Sequence, residues 1–228
     1  ITDGNTLAKA LQADEVQAAY GMAYESYPLF EGDDYQFSQI STSRCFFAKM
    51  NFDENSVCAD PAVRKAIAMG IDKESFVDTL LEGNGYVANG VFPDQTAFGG
   101  DKVTTESYDP KGAKKVLEDA GWVDTDGDGI REKDGKKLSF TWYTWSSATR
   151  RAEKMSAQLK EVGFDMQIET LEWNYMYEKI ESDDYDAGIR ELGWAEPILI
   201  FNACYKDPNA PGKTDAYFKK VEEMAAET

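Results

Sequence analysis

The 228-residue chain carries 24 Lys and Arg against 42 Asp and Glu, a net charge of −18, with 42% hydrophobic and 13% aromatic residues. That charge opposes nucleic acid and anionic membrane surfaces, while the apolar share is enough for a sizeable core. Histidine is absent, which removes imidazole bases, Ser/His/Asp triads and imidazole metal ligands together.

The chain opens at Ile1-Thr2-Asp3-Gly4 and stops at Glu227-Thr228 inside a helical pattern, so it reads as a piece of a longer protein. Cys45, Cys58 and Cys204 form no CxxC pair, and their simplest role is as small buried side chains. No apolar run approaches the roughly 18 to 20 residues needed to cross a bilayer; the longest nearby stretch is Pro197 to Phe201.

At Asp60-Pro61 an N-cap and a proline that lacks a donor predict a helix with Val63, Ala66 and Ile67 on one face, interrupted at Gly70. Asp72 caps a second helix through Phe76, Val77 and Leu80 that ends at Gly83. Residues 84–107, rich in Gly, Asn and Asp, read as a long surface connection. Asp109-Pro110 repeats the first signal and predicts a helix over 110–120.

Asp124 to Gly129 and Asp134-Gly135 are turn formers that lead into a strand with Leu138, Phe140 and Trp142 alternating. A helix over about 148–162 ends at Gly163, a strand carries Phe164, Met166 and Ile168, a helix spans 174–181, and a third strand covers 185–192. This βαβαβ order predicts an α/β fold with a mostly parallel or mixed sheet flanked by helices, in one lobe over residues 1–228.

In such sheets ligands sit beyond the carboxyl ends of the strands. The rule selects Tyr143, Trp145 and Arg150 after the first strand, Trp173 after the second, and Arg190, Trp194 and Glu196 after the third. The three tryptophans either line a site or cap the core. Glu196 is a candidate anchor for a cationic group and Arg150 and Arg190 for a carboxylate. Asp124, Asp126 and Asp128 sit at alternate positions before Gly129, as in a calcium loop, yet Gly135 stands where an EF-hand has its bidentate Glu. Asx turns explain the same run without a metal, and no other cofactor is expected.

The segment Ala59-Asp60-Pro61-Ala62-Val63-Arg64-Lys65-Ala66-Ile67-Ala68-Met69-Gly70-Ile71-Asp72-Lys73-Glu74 resembles a signature of the family 5 extracellular solute-binding proteins of ABC importers. Tyr108-Asp109-Pro110-Lys111 with Asp124 to Lys136 resembles a second stretch of that family, and Asp184-Tyr185-Asp186-Ala187 with Gly193-Trp194-Ala195-Glu196-Pro197 a third. The resemblance implies the second lobe of a bilobal, monomeric, periplasmic or lipoprotein-anchored binding protein that delivers a small solute, foremost a short peptide, to a membrane permease. It also implies Trp173 and Trp194 in the cleft, Glu196 near a peptide's amino terminus, and no catalytic residues. A nickel chelate, an opine or an oligosaccharide is the alternative solute, and a ligand-sensing domain of a transcription regulator the alternative role.

Overall fold

In chain order the elements are α1 (Gly4–Gln12), β1 (Cys45–Met50), α2 (Pro61–Gly70), α3 (Lys73–Leu80) and α4 (Pro110–Asp119). They continue with β2 (Glu132–Lys133), β3 (Lys136–Lys137), β4 (Ser139–Trp145), α5 (Thr149–Val162), β5 (Asp165–Leu171), α6 (Trp173–Glu181) and β6 (Ala187–Leu192). The computed structural model describes residues 1, 3–40, 42–92, 103–182, 184–193, 216, 219–220 and 222–223. It divides into two units, Ile1–Thr42 with Lys73–Val87, and Ser43–Asp72 with Ala88–Thr228. None of the described helices is long and apolar enough to cross a membrane.

The first unit holds α1, a 3₁₀ segment at Tyr24–Phe30, and α3. Asp3 opens α1 by accepting the Thr6 N–H at 2.7 Å. Edge-to-face rings then link Tyr24 to Tyr27 at 5.4 Å, Tyr27 to Phe37 at 4.9 Å and Phe30 to Tyr35 at 5.0 Å.

The second unit is built on a four-stranded sheet in the order β1-β6-β4-β5. β4 runs parallel to β5 and β6, and β1 pairs antiparallel with β6 from Cys45↔Leu192 to Met50↔Ala187. The sheet is therefore mixed, with one strand that the alternation pattern did not reveal. The step from β4 to β5 and the step back past β4 to β6 run in opposite directions across the sheet. Right-handed crossovers then put α5 and α6 on opposite faces.

Local chemistry explains the element ends. Asp60 and Asp109 cap α2 and α4 through the Ala62 and Gly112 N–H groups, both at 2.8 Å, with proline as the first helical residue of each. Gly163 ends α5 at φ 104°, a left-handed conformation that glycine tolerates. Asp134 and Gly135, both at positive φ, form the two-residue turn of the β2–β3 hairpin. β4 extends to Trp145, into the stretch from Thr144 to Ser147 where its polar residues predict a break, because Tyr143, Thr144 and Trp145 are buried on both faces of β4, while β5 ends at Leu171, close to the end expected near Glu172-Trp173.

Two polar side chains tie these pieces together. Arg131 donates to the carbonyls of Val162 at 3.0 Å and Trp122 at 2.8 Å and to Glu118 at 2.9 Å, joining the ends of α5 and α4. Asp186 accepts the Thr141 N–H at 2.9 Å and the Ser56 hydroxyl at 3.3 Å, which satisfies a β4 donor before the β4–β6 pairing begins. Cys45 and Cys58 are buried, and desolvation is the main cause that pushes the Cys58 thiol up to about 12. Cys204 lies outside the described residues.

Candidate functional site

The chain leaves β4 toward one face of the sheet and leaves β5 toward the other, so a crevice opens between their carboxyl ends. Aromatic rings occupy that point. Trp145, the last residue of β4, meets Trp173, the first residue of α6, edge-on at 4.4 Å between centroids, and Trp173 meets Tyr177 at 4.8 Å. Trp145 is 8% exposed and its indole N–H is held by Ser147 Oγ at 2.8 Å, whereas Trp173 is 40% exposed. One ring is thus core and the other offers a face.

Helical spacing builds the next layer, since Trp173, Tyr177 and Glu181 stand four residues apart on α6. Tyr177 donates its hydroxyl to the Glu191 carbonyl at 3.2 Å and lies under the Arg190 guanidinium at 5.2 Å. Burial raises the Tyr177 phenol above its ordinary value, against the lowering effect of the Glu191 contact and Arg190, so it remains a donor at neutral pH. Glu181 pairs with Arg190 and, at 3.2 Å, with Lys49, whose ammonium also donates to the Ile180 carbonyl at the end of α6 at 2.7 Å. Gly188 permits this packing: a Cβ there would lie 2.6 Å from Ile180 Cγ2.

The opposite face of the rim carries a second charged group. Arg44 pairs with Glu191 and stacks on Phe46 at 5.1 Å, while Arg151 from α5 lies 4.3 Å from the centroid of the same ring. Among the described residues, Thr144 Oγ1 near the end of β4 and Glu191 Oε2 near the end of β6 are buried without a hydrogen-bond partner.

The residues selected from sequence separate accordingly. Trp145, Trp173 and Arg190 gather at one rim. Tyr143 is buried within β4, its phenol raised by burial and its ring 5.4 Å from Lys179 Nζ, so it supports the sheet below the rim. Arg150 is exposed at the start of α5. Trp194 and Glu196 lie outside the described residues, as does the Pro197 to Phe201 stretch. Sequence reasoning missed Tyr177, Glu181 and Glu191. The four-residue spacing from Trp173 was a readable signal for the first two, and nothing local marked the third.

Asp124, Asp126 and Asp128 offer carboxylate oxygens within 4.8 Å of one another. Asp124 accepts the Gly127 and Gly129 N–H groups at 2.7 and 3.0 Å, and Asp128 accepts that of Ile130 at 2.8 Å. Lys137 pairs with Asp128 and reaches Asp126 at 3.4 Å, so a metal ion entering this loop would have to displace an ammonium.

Comparison with known proteins gives a consistent set of matches. The family described as bacterial extracellular solute-binding proteins, family 5 Middle, matches residues 1–202. The oligopeptide-binding protein AppA of Bacillus subtilis is 35% identical over 150 residues, 63% of this chain and 27% of AppA. The nickel-binding periplasmic protein of Escherichia coli is 27% identical over 177 residues, 74% of this chain and 33% of the relative. Among solved structures, NikA from Brucella suis in complex with Fe(III)-EDTA superposes with a TM-score of 0.79 at 24% identity, covering 100% of this chain and 47% of NikA. AppA in complex with a nonapeptide superposes with a TM-score of 0.64 at 27% identity, covering 86% of this chain and 40% of AppA. The chain therefore spans less than half the length of these relatives.

Proposed function

Because the chain belongs to family 5 of the bacterial extracellular solute-binding proteins, a family that binds solutes rather than transforming them, we propose that it forms one wall of a cleft capturing a short peptide. The observation that carries this reading is the shelf of Trp145, Trp173 and Tyr177 at the β4/β5 switch point, with an exposed ring face and fixed charges beside it. Aromatic faces accept varied side chains, and oriented polar groups fix a main chain, which together suit a ligand class of variable sequence. The similarity to an oligopeptide-binding relative supports the same choice.

The sheet-bearing unit would be the cleft wall of a lobe. The remainder of a longer protein, exported or lipid-anchored outside the cytoplasmic membrane, would supply the facing wall and the contact to an ABC permease. Affinity would arise when both walls exclude water around the solute. The similarity to a nickel-binding relative favours a metal chelate as the second reading. Without histidine in this chain such a chelate would be held through aromatic and charged contacts.

Titration calorimetry of the full-length protein against pooled di- to nonapeptides, nickel chelates and oligosaccharides tests the assignment. Heat with peptides, and binding weakened about tenfold on replacing Trp173 by Ala, is the expected result. Binding of chelates alone, or of sugars alone, overturns it.

A further inference from the structure

The carboxylate of Glu191 is only half used. Arg44 engages Oε1, while Oε2 is buried and has no hydrogen-bond partner. The Glu191 side chain is 15% exposed, so solvent replaces the missing donor only in small part. A buried carboxylate oxygen without a donor loses its hydration and gains nothing in return.

Position makes this orphan informative. Glu191 is the penultimate residue of β6, whose carboxyl end lies on the same rim as those of β4 and β5. Side chains alternate along the strand: Gly188 lies against Ile180, and Arg190 against Tyr177 and Glu181, so all three contacts are to α6. Glu191 therefore projects to the other face, toward Phe46 and Arg151 of α5. Gly193, where the chain leaves β6, is so placed that a Cβ would lie 3.5 Å from Arg44. The unpartnered oxygen thus stands near the point where the chain leaves β6.

The site places Arg44 on Glu191 and Arg151 on the neighbouring Phe46 ring. It offers an acceptor whose second oxygen is fixed by Arg44 and whose neighbour Arg44 is itself stacked on Phe46. We propose that Glu191 is a specificity-determining residue whose Oε2 accepts a main-chain N–H of the bound peptide, from an internal amide or from the terminal ammonium. This rests on the peptide reading above and adds a named acceptor to it, on the face of the sheet away from the aromatic shelf.

A cycle between protein and ligand tests the assignment on the full-length protein. One tight-binding peptide is resynthesised with each amide replaced in turn by an ester, which deletes the N–H, and once with its amino terminus acetylated. Glu191→Gln keeps the shape, and with its oxygen held by Arg44 it presents an NH₂ donor where Oε2 stood. Wild-type protein is expected to lose roughly 10- to 100-fold in affinity at one modified position, the range of a charged hydrogen bond. The Glu191→Gln protein is expected to bind the parent peptide weakly by the same factor and to show no further loss at that position. An ester position so coupled identifies an internal amide, and coupling to acetylation identifies the ammonium. Glu191→Asp, which keeps the pair with Arg44 but shortens the reach, is expected to show coupling at the same position and guards against a misfolded Gln variant. Equal losses in both proteins at every position overturn the role of Glu191 and leave the peptide reading standing. A wild-type protein that binds no peptide overturns both.

Discussion

Replacing Gly188 by Ala probes the contact that seats α6 on the sheet. A Cβ at this position would stand 2.6 Å from Ile180 Cγ2 and 3.2 Å from the Tyr143 carbonyl oxygen. Carbon atoms in ordinary contact lie about 3.5–4.0 Å apart, so Ile180 and its helix must withdraw by about 1 Å. Overpacking of this kind costs about 1–3 kcal/mol, which lowers the melting temperature of a domain of this size by about 2–12 °C. Ile180 is fully buried, and Ile180→Ala alone is expected to cost about 2–5 kcal/mol through the cavity it leaves. In that background the Ile180 clash is gone and only the 3.2 Å approach to the Tyr143 carbonyl oxygen remains, so the second substitution is expected to cost about 1–2 kcal/mol less than in the parent, and that difference is the interaction read from the cycle. Urea unfolding of the four proteins, followed by tryptophan fluorescence because α6 carries Trp173, measures it. A Gly188→Ala protein as stable as the parent, or costs that simply add, would refute the close approach.

Trp145 and Trp173 are expected to respond differently to alanine. Trp145→Ala should cost about 3–5 kcal/mol in stability by denaturant melts, whereas Trp173→Ala should leave stability within about 1 kcal/mol and weaken solute binding about tenfold by calorimetry. Arg131→Ala removes a charged donor from two backbone carbonyls and is expected to cost about 3 kcal/mol. Arg131→Lys should recover less than half of that in the same melts, because an ammonium cannot fork between Val162 and Trp122. Burial disfavours the Asp60 carboxylate, but hydrogen bonds from Trp122, Ala62 and Lys133 outweigh it and hold the group below its ordinary value of 3.8. Its folded pKa being depressed, the stabilisation is present above 3.8 and disappears as pH falls through the folded value. Asp60→Asn should therefore be less stable than the parent at pH 6, with the gap closing below about pH 3.8 in pH-dependent urea titrations.

Signals that act within a few residues were readable in the chain. Asp60-Pro61, Asp109-Pro110, Asp134-Gly135 and Gly163 each mark an element end because capping and positive φ are local demands. β1 was not readable: Cys45 to Met50 is an edge strand whose burial does not alternate cleanly, and only its ladder to β6 defines it. Of the residues selected at the strand ends, Trp145, Trp173 and Arg190 lie at one rim, yet what each does there depends on tertiary partners. Arg190 looked available for a ligand carboxylate, but Glu181 and Tyr177 hold it. Glu191 looked like one more strand residue, and only its pairing with Arg44 leaves one oxygen without a donor.

The antiparallel pairing of β1 with β6 also sets a timetable for synthesis. Cys45 emerges from the ribosome 147 residues before Leu192, its ladder partner, a delay of roughly 7–30 s at ordinary elongation rates. Throughout that interval Phe46 and Phe47 belong to a nascent segment with no strand to join. The β1 side of the sheet can therefore close only once residues 187–192 have been made, which puts its ladder among the last contacts of the sheet to form.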